Sequence, residues 1–131
     1  MLVSIKGSVS GIPYSQDRAR GDKNAAGAWT SAVISQTRNH PRVIGPCMLR
    51  VTFRLPPSKF PKDHPYGNDL DNLLKRFCDA LQTTILSEAP GKDGAIVSVE
   101  ATKVRVMSDA EAGVDFEFIE LSQPAFLSTA H

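Results

Sequence analysis

Alternating hydrophobic and polar residues define the clearest strand of the sequence, from Cys47 to Leu55. Hydrophobic residues occupy every second position of this segment, and Arg50 and Arg54 lie between them. A strand with this pattern buries one face and exposes the other. The segment therefore predicts one strand with a core face and a second face that carries two arginines.

Two other segments show the three-and-four spacing of helices. From Asp22 to Arg38, small and large apolar residues recur at this spacing, with Asp22 in the position of an N-cap. From Asp69 to Thr84, the helical wheel separates a polar arc from an apolar one. The apolar arc contains Leu70, Leu73, Leu74, Phe77, Ala80 and Leu81. Both segments are predicted to be helices that pack on a sheet.

Three more strands complete the predicted elements: one near Leu2–Val9, one over Ala95–Val106 and one around Val114–Phe118. The element order is then β-α-β-α-β-β. Helices between strands favour parallel crossovers, whereas the short polar stretch at 107–112 favours an antiparallel hairpin between the last two strands. The pattern predicts an α+β fold with a mixed sheet and helices packed on it.

The length of 131 residues fits a single domain, which we expect to span residues 1–122 and to be followed by a C-terminal tail at 123–131. With 41% hydrophobic and 22% charged residues, the composition is that of an ordinary globular chain. No apolar run reaches the roughly 18 residues of a membrane helix, so we expect no membrane partner. The first residues lack the pattern of a secretory signal and there are two cysteines, which favours a cytoplasmic location.

Charge divides the chain into two unequal parts. Residues 1–62 carry ten basic and two acidic side chains, a net +8, whereas residues 63–131 carry five basic and twelve acidic ones, a net −7. A basic half of this size favours binding to a polyanion. The alternative is that the two sets of charges pair with each other in the folded chain.

Three carboxylates stand out as candidate metal ligands. Asp69 and Asp71 lie two residues apart at the start of the second helix, and Asp93 precedes the third strand. Carboxylate oxygens suit hard divalent cations such as Mg²⁺, which phosphodiester hydrolysis uses to activate a nucleophile. The alternative is that acids in a first helical turn simply stabilise the helix.

Two lysines accompany these acids. Lys75 follows Asp71 by four residues and precedes Asp79 by four, so the three side chains share one polar stripe. Lys75 can orient a phosphate there, or it can form an ordinary salt-bridge ladder with its two acidic neighbours. Lys103, at the far end of the third strand, is a candidate phosphate contact.

Taken in order, these residues resemble a known signature. Asp-Leu-Asp-Asn-Leu-Leu-Lys at residues 69–75, Phe-Cys-Asp-Ala-Leu at 77–81, Asp-Gly-Ala-Ile-Val at 93–97 and Lys103 are similar to the motif of RusA-type crossover junction endodeoxyribonucleases. These enzymes are small Holliday-junction resolvases of bacteria and their phages. The resemblance covers residues 69–103.

The resemblance implies a specific chemistry and assembly. It implies that Asp69, Asp71 and Asp93 coordinate Mg²⁺, that Lys75 assists catalysis, and that a homodimer cuts two strands of branched DNA symmetrically. The expected function is then resolution of four-way junctions in recombination and repair. The chain departs from the pattern where the family has two adjacent acids, because Lys92 precedes Asp93 here.

Two alternatives stay open: a nuclease with relaxed preference for flaps or single strands, and a catalytically impaired protein that binds DNA junctions, which this departure and the longer loop at residues 87–90 favour. In each case, the basic residues are expected to neutralise backbone phosphates without reading bases. The residues assigned to this role are Arg18, Arg20, Arg50, Arg54, Lys59, Lys62 and Lys103. Zinc is not expected, because the three histidines lack the spacing of zinc ligands, and Cys78 lacks a histidine partner for nucleophilic catalysis.

Overall fold

The computed structural model describes residues 4–14, 23–60 and 69–121. Its helices and strands follow the predicted order, which confirms the β-α-β-α-β-β sequence of elements and the α+β class. They are β1 (Ser4–Ser10), α1 (Lys23–Thr37), β2 (Cys47–Leu55), α2 (Leu70–Ala80), β3 (Ile96–Arg105) and β4 (Gly113–Glu120). The predicted tail at 123–131 lies outside the described residues, as do Arg18, Arg20 and Lys62.

The four strands form one mixed sheet in the order β1-β4-β2-β3. β2 and β3 are parallel, as the intervening helix predicted, whereas β4 runs antiparallel to both β1 and β2. The predicted hairpin between the last two strands is wrong, because β2 lies between β3 and β4, and β4 pairs with β2 and β1. β3 is therefore an edge strand of the sheet.

Burial explains why β4 is central and β3 is not. Val114, Phe116 and Phe118 of β4 are almost fully buried and fill the middle of the core. In β3, Lys103 and Arg105 are the register partners of buried residues of β2, so they lie on the helix side of the sheet. A central strand would bury these two charges, whereas an edge strand leaves them access to water.

Helix α2 packs on the sheet through the apolar arc predicted from the sequence. The ring of Phe77 lies 6.0 Å from that of Phe53 in an edge-on arrangement and 5.7 Å from that of Phe116. Leu73 and Leu81 are fully buried beside it. The predicted helix extends to Thr84, whereas the α-helix ends at Ala80 and continues as a 3₁₀ turn over Leu81–Thr83.

The segment after α2 fixes the direction of the helix. The backbone N–H of Val43, just before β2, donates to the carbonyl oxygen of Ile85 at 2.9 Å, and Cys47 is the register partner of Ile96. The end of α2 therefore lies near the beginnings of β2 and β3. Its first turn lies at the opposite, carboxyl end of β2.

Helix α1 covers the other half of the same face of the sheet. Trp29 and Val33 are buried, and the Gln36 side chain both accepts from the N–H of Ser10 (2.8 Å) and donates to its carbonyl oxygen (2.9 Å). These bonds join the end of α1 to the end of β1. At 15 residues, α1 is the longest helix of the described chain, and no helix there is long and apolar enough to cross a membrane.

Gly113 gives a test of the pairing between β1 and β4, and Gly27, in α1, gives a comparison. Gly113 has φ +157°, and a Cβ there would collide with the carbonyl oxygen of Val9 on β1. We expect Gly113→Ala to destabilise the protein by about 1–3 kcal/mol, because it combines backbone strain with a clash between β1 and β4. Gly27, in α1, has open space around its Cα, so Gly27→Ala should instead stabilise by up to about 1 kcal/mol.

Chemical denaturation of the two variants measures both effects. Equal stability of Gly113→Ala and the wild type would contradict the β1–β4 pairing described here.

Candidate functional site

The first turn of α2 presents two acidic side chains to solvent. Asp69 occupies the N-cap position in an extended conformation, but its side chain makes no capping hydrogen bond. Asp71 lies in the first turn, and both residues are exposed. Within the described residues, neither carboxylate has an ion-pair partner. Asp69 therefore does not serve as a side-chain cap, and both carboxylates have oxygens available for a ligand.

Lys75 lies one helical turn beyond these acids on the same exposed stripe. Asp71, Lys75 and Asp79 are all exposed, as the helical wheel predicted. No ion pair within 4 Å joins them in the described part of the chain. The salt-bridge ladder considered as an alternative for Lys75 is therefore absent from this stripe among the described residues, and the Cα atoms of Asp71 and Lys75 are about 6 Å apart along the helix axis.

Asp93 lies at the other end of α2. It belongs to the exposed 3₁₀ turn Lys92–Ala95 that leads into β3, and its charge contributes to raising the pKa of the Cys78 thiol. Asp93 precedes β3, whose beginning lies at the end of the sheet where α2 ends, whereas Asp71 lies in the first turn of that helix. The topology therefore places Asp69 and Asp71 at the start of α2 and Asp93 beyond its end.

The acidic residues of the described chain supply few protein ligands for a magnesium ion. Among residues 4–14, 23–60 and 69–121, no three Asp, Glu, His or Cys side chains are arranged to hold a metal ion. Magnesium in nucleotide-processing sites is often held by one or two carboxylates together with substrate phosphate oxygens. Asp69 and Asp71 fit that arrangement, because they are adjacent, exposed and not engaged in ion pairs.

The two cysteines belong to the core and not to the site. Burial raises the pKa of the Cys78 thiol to about 12, and the charges of Asp93 and Asp79 add to the effect. Burial likewise raises the pKa of Cys47 to about 11, with a contribution from Glu120. A nucleophilic cysteine requires a lowered pKa, so both side chains act as small buried hydrophobic groups.

On the sheet face opposite the helices, three basic residues of the first half of the chain form ion pairs with acids of the second half. Arg50 and Arg54 lie on this open face, as the alternation in β2 predicted. Each forms an ion pair with an acid of the second half of the chain. For these two arginines, the structure therefore shows the charge pairing that was the alternative to phosphate binding. The cross-strand ion pairs are Arg50 with Glu100 (3.5 Å), Arg54 with Asp115 (3.4 Å) and Lys6 with Glu117 (4.0 Å).

The helix side carries a different set of cations, which stack on aromatic rings. The Arg76 guanidinium lies 4.9 Å from the ring centroid of Tyr14, and the Lys59 ammonium lies 5.7 Å from the same ring. The Arg105 guanidinium lies 4.5 Å from the ring of Phe60. We call Lys59, Arg76 and Arg105 the basic rim.

Sequence reasoning assigned Lys59 to phosphate binding but missed Arg76 and Arg105. The signal for Arg105 is its alternation with Lys103 in β3, which places both on the helix side of the edge strand. Arg76 is half-buried and follows Lys75 on α2, so the helical wheel alone gives no reason to select it. Its relation to Tyr14 depends on the tertiary fold.

Comparison with known proteins adds no relative, since no protein-family model matches the sequence and no curated protein matches it significantly. The resemblance to RusA-type resolvases therefore rests on residues 69–103 themselves and remains a prediction.

The buried Cys78 thiol gives a pH-dependent test of this packing. The folded chain holds this thiol protonated up to a pH of about 12, whereas the unfolded chain loses the proton near the ordinary value of 9.0. Its contribution to stability is therefore complete below pH 9.0 and declines above it, by at most about 1.4 kcal/mol per pH unit.

Urea denaturation across this alkaline window measures the decline. We expect Cys78→Ala to show a shallower decline than the wild type, whatever its stability at neutral pH. Parallel curves for the two proteins would contradict burial of the Cys78 thiol.

Proposed function

We propose that the protein is a magnesium-dependent, structure-selective DNA endonuclease that resolves four-way junctions in recombination and repair. The observation that carries the proposal is the pair of exposed carboxylates, Asp69 and Asp71, which have no ion pair with any described residue, with Lys75 one turn beyond Asp71 on α2. The resemblance of residues 69–103 to RusA-type resolvases supports the choice of substrate.

Each residue of the site has a chemical task in this proposal. Asp69 and Asp71 would hold the ion through carboxylate oxygens. When bound, the ion would supply a water of lowered pKa and offset negative charge on the reacting phosphate. The Lys75 ammonium orients the scissile phosphate from the exposed stripe of α2. The neighbouring carboxylates repel a phosphate unless a cation is bound, so catalysis requires the metal.

Symmetric resolution of a four-way junction requires two cuts, and one chain carries one Asp69–Asp71 pair. A homodimer supplies the second pair and relates the two by a two-fold axis, matching the symmetry of the junction. The location proposed for this activity is the cytoplasm. The free, buried state of Cys47 and Cys78 is compatible with that reducing compartment.

One observation favours a second candidate, a catalytically impaired protein that binds DNA junctions. Asp93, the third acid that the resemblance implies as a ligand, lies between the end of α2 and the beginning of β3, whereas Asp69 lies at the start of the helix. If the reaction needs three carboxylates from one chain, this chain binds junctions without cutting them. A cleavage assay separates the two candidates.

The test uses a labelled synthetic four-way junction, with and without Mg²⁺, and flap and single-stranded substrates for comparison. We expect the wild type to cut the junction only with Mg²⁺ and in preference to the other substrates. Asp71→Asn should lower the rate at least about 100-fold while leaving junction binding equal or tighter, because a negative charge near phosphate is removed.

Asp93→Asn is the matched control, since it removes the same charge at the far end of α2. We expect it to retain most of the activity. Loss of cleavage in both variants would show instead that three carboxylates act together, and a wild type that binds without cutting would favour the impaired protein.

Lys75→Ala, in the same assay, should lower turnover strongly and change the free energy of unfolding by no more than about 1 kcal/mol, since the side chain is exposed and has no ion pair in the described chain. A large loss of stability with normal turnover would instead assign Lys75 a structural role.

A further inference from the structure

The basic rim lies where the carboxyl ends of β2 and β3 meet. The backbone N–H of Val106 donates to the carbonyl oxygen of Leu55 at 2.9 Å, which joins the ends of the two strands. Lys59 and Phe60 follow β2 directly, and Arg105 ends β3 over the Phe60 ring. Lys59 and Arg105 therefore lie within a few residues of the hydrogen-bonded ends of β2 and β3.

Aromatic rings hold these cations in place. Tyr14 is buried, with 4% of its surface exposed, and its ring lies within reach of both Lys59 and Arg76. A ring attracts a cation without neutralising its charge, so the cation keeps its attraction for anions. Within the described residues, Lys59 and Arg105 have no carboxylate partner, in contrast to Arg50 and Arg54.

The rim is at the same end of the sheet as the candidate metal site. Because α2 runs antiparallel to β2, its first turn with Asp69 and Asp71 lies at the carboxyl end of that strand, where Lys59 and Arg105 also lie. The rim cations and the two carboxylates therefore lie toward the same end of the sheet.

This arrangement favours a phosphodiester strand over an acidic peptide. Guanidinium groups match phosphate oxygens, and a phosphate can approach the two aspartates when a shared cation bridges them. A peptide carboxylate can bind the same groups, but a DNA strand carries a phosphate at every nucleotide and can therefore contact successive rim cations and the cation-bridged aspartates at once.

We propose that the basic rim is the phosphate-binding track for the DNA strand that enters the Asp69–Asp71 site, with Tyr14 and Phe60 as positioning residues for its cations. The open sheet face, whose arginines are paired with acids, is not the DNA surface. The inference rests on the proposed function for the identity of the strand, but its test measures binding without cleavage.

The test compares two double variants that each remove two positive charges: Lys59→Gln with Arg105→Gln on the rim, and Arg50→Gln with Arg54→Gln on the open face. Fluorescence anisotropy measures affinity for a labelled four-way junction across a range of salt, with a chelator present. We expect the rim variant to bind about tenfold more weakly, with a salt slope smaller by about 1.8, that is, about 0.9 for each lost phosphate contact. The open-face variant should change affinity less than about twofold.

The role of the rings needs a variant that keeps every charge. Phe60→Leu removes the ring beneath Arg105, and we expect affinity to fall by about threefold because the guanidinium is no longer held. Phe60→Tyr keeps a ring and should restore wild-type affinity. Equal binding by Phe60→Leu and the wild type would overturn the positioning role, and circular dichroism confirms that each variant is folded.

The outcomes for the track and for the proposed function are separable. Equal losses in the two double variants, or displacement of the junction by polyglutamate as readily as by unlabelled DNA, would overturn the track. A wild type that binds through the rim but never cuts with Mg²⁺ would leave the track standing and overturn the nuclease. A rim variant that binds and cuts like the wild type would overturn the track alone.

Discussion

The parallel pairing of β2 with β3 determines where the acidic residues of this protein lie. A parallel pair requires the chain to return from the end of one strand to the beginning of the next, and α2 makes that return. The helix must therefore run antiparallel to both strands. The acids at its start, Asp69 at the N-cap and Asp71 in the first turn, come to one end of the sheet, and Asp93, between the helix and β3, comes to the other. One structural constraint thus separates acids that the sequence motif groups together.

The two faces of the sheet treat positive charge in different ways. On the open face, basic side chains find acids on neighbouring strands, and such exposed pairs contribute only about 0–1 kcal/mol each. Their main consequence is to cancel a charge that would otherwise attract phosphate. On the helix side, Arg105 and Lys59 lie against aromatic rings, which position a charge without cancelling it. The excess of basic residues in the first half of the chain is therefore a poor guide to where an anion binds.

Local pattern was sufficient for the elements but not for their arrangement. The alternation in 47–55 predicts both ends of β2, and the apolar arc of α2 predicts its buried residues, because these signals depend only on near neighbours. The hairpin prediction failed because adjacency of strands is a tertiary property. Lys103 and Arg105 argue against the hairpin, because charged residues that alternate on the helix side suit an edge strand. The position of Asp93 could not be predicted without knowing the direction of α2. The contact of Arg76 with Tyr14 could not be predicted either, because it joins distant parts of the chain.

The central claim is that a divalent ion binds the Asp69–Asp71 end of α2 and not the Asp93 end. Titration of the ¹⁵N-labelled protein with Mn²⁺, a paramagnetic substitute for Mg²⁺, tests it directly, because amide signals near the bound ion broaden first. The account predicts broadening of residues 69–72 while residues 92–95 stay sharp, with Mg²⁺ reversing the effect. Broadening of both groups at the same Mn²⁺ concentration, or of 92–95 first, would contradict it.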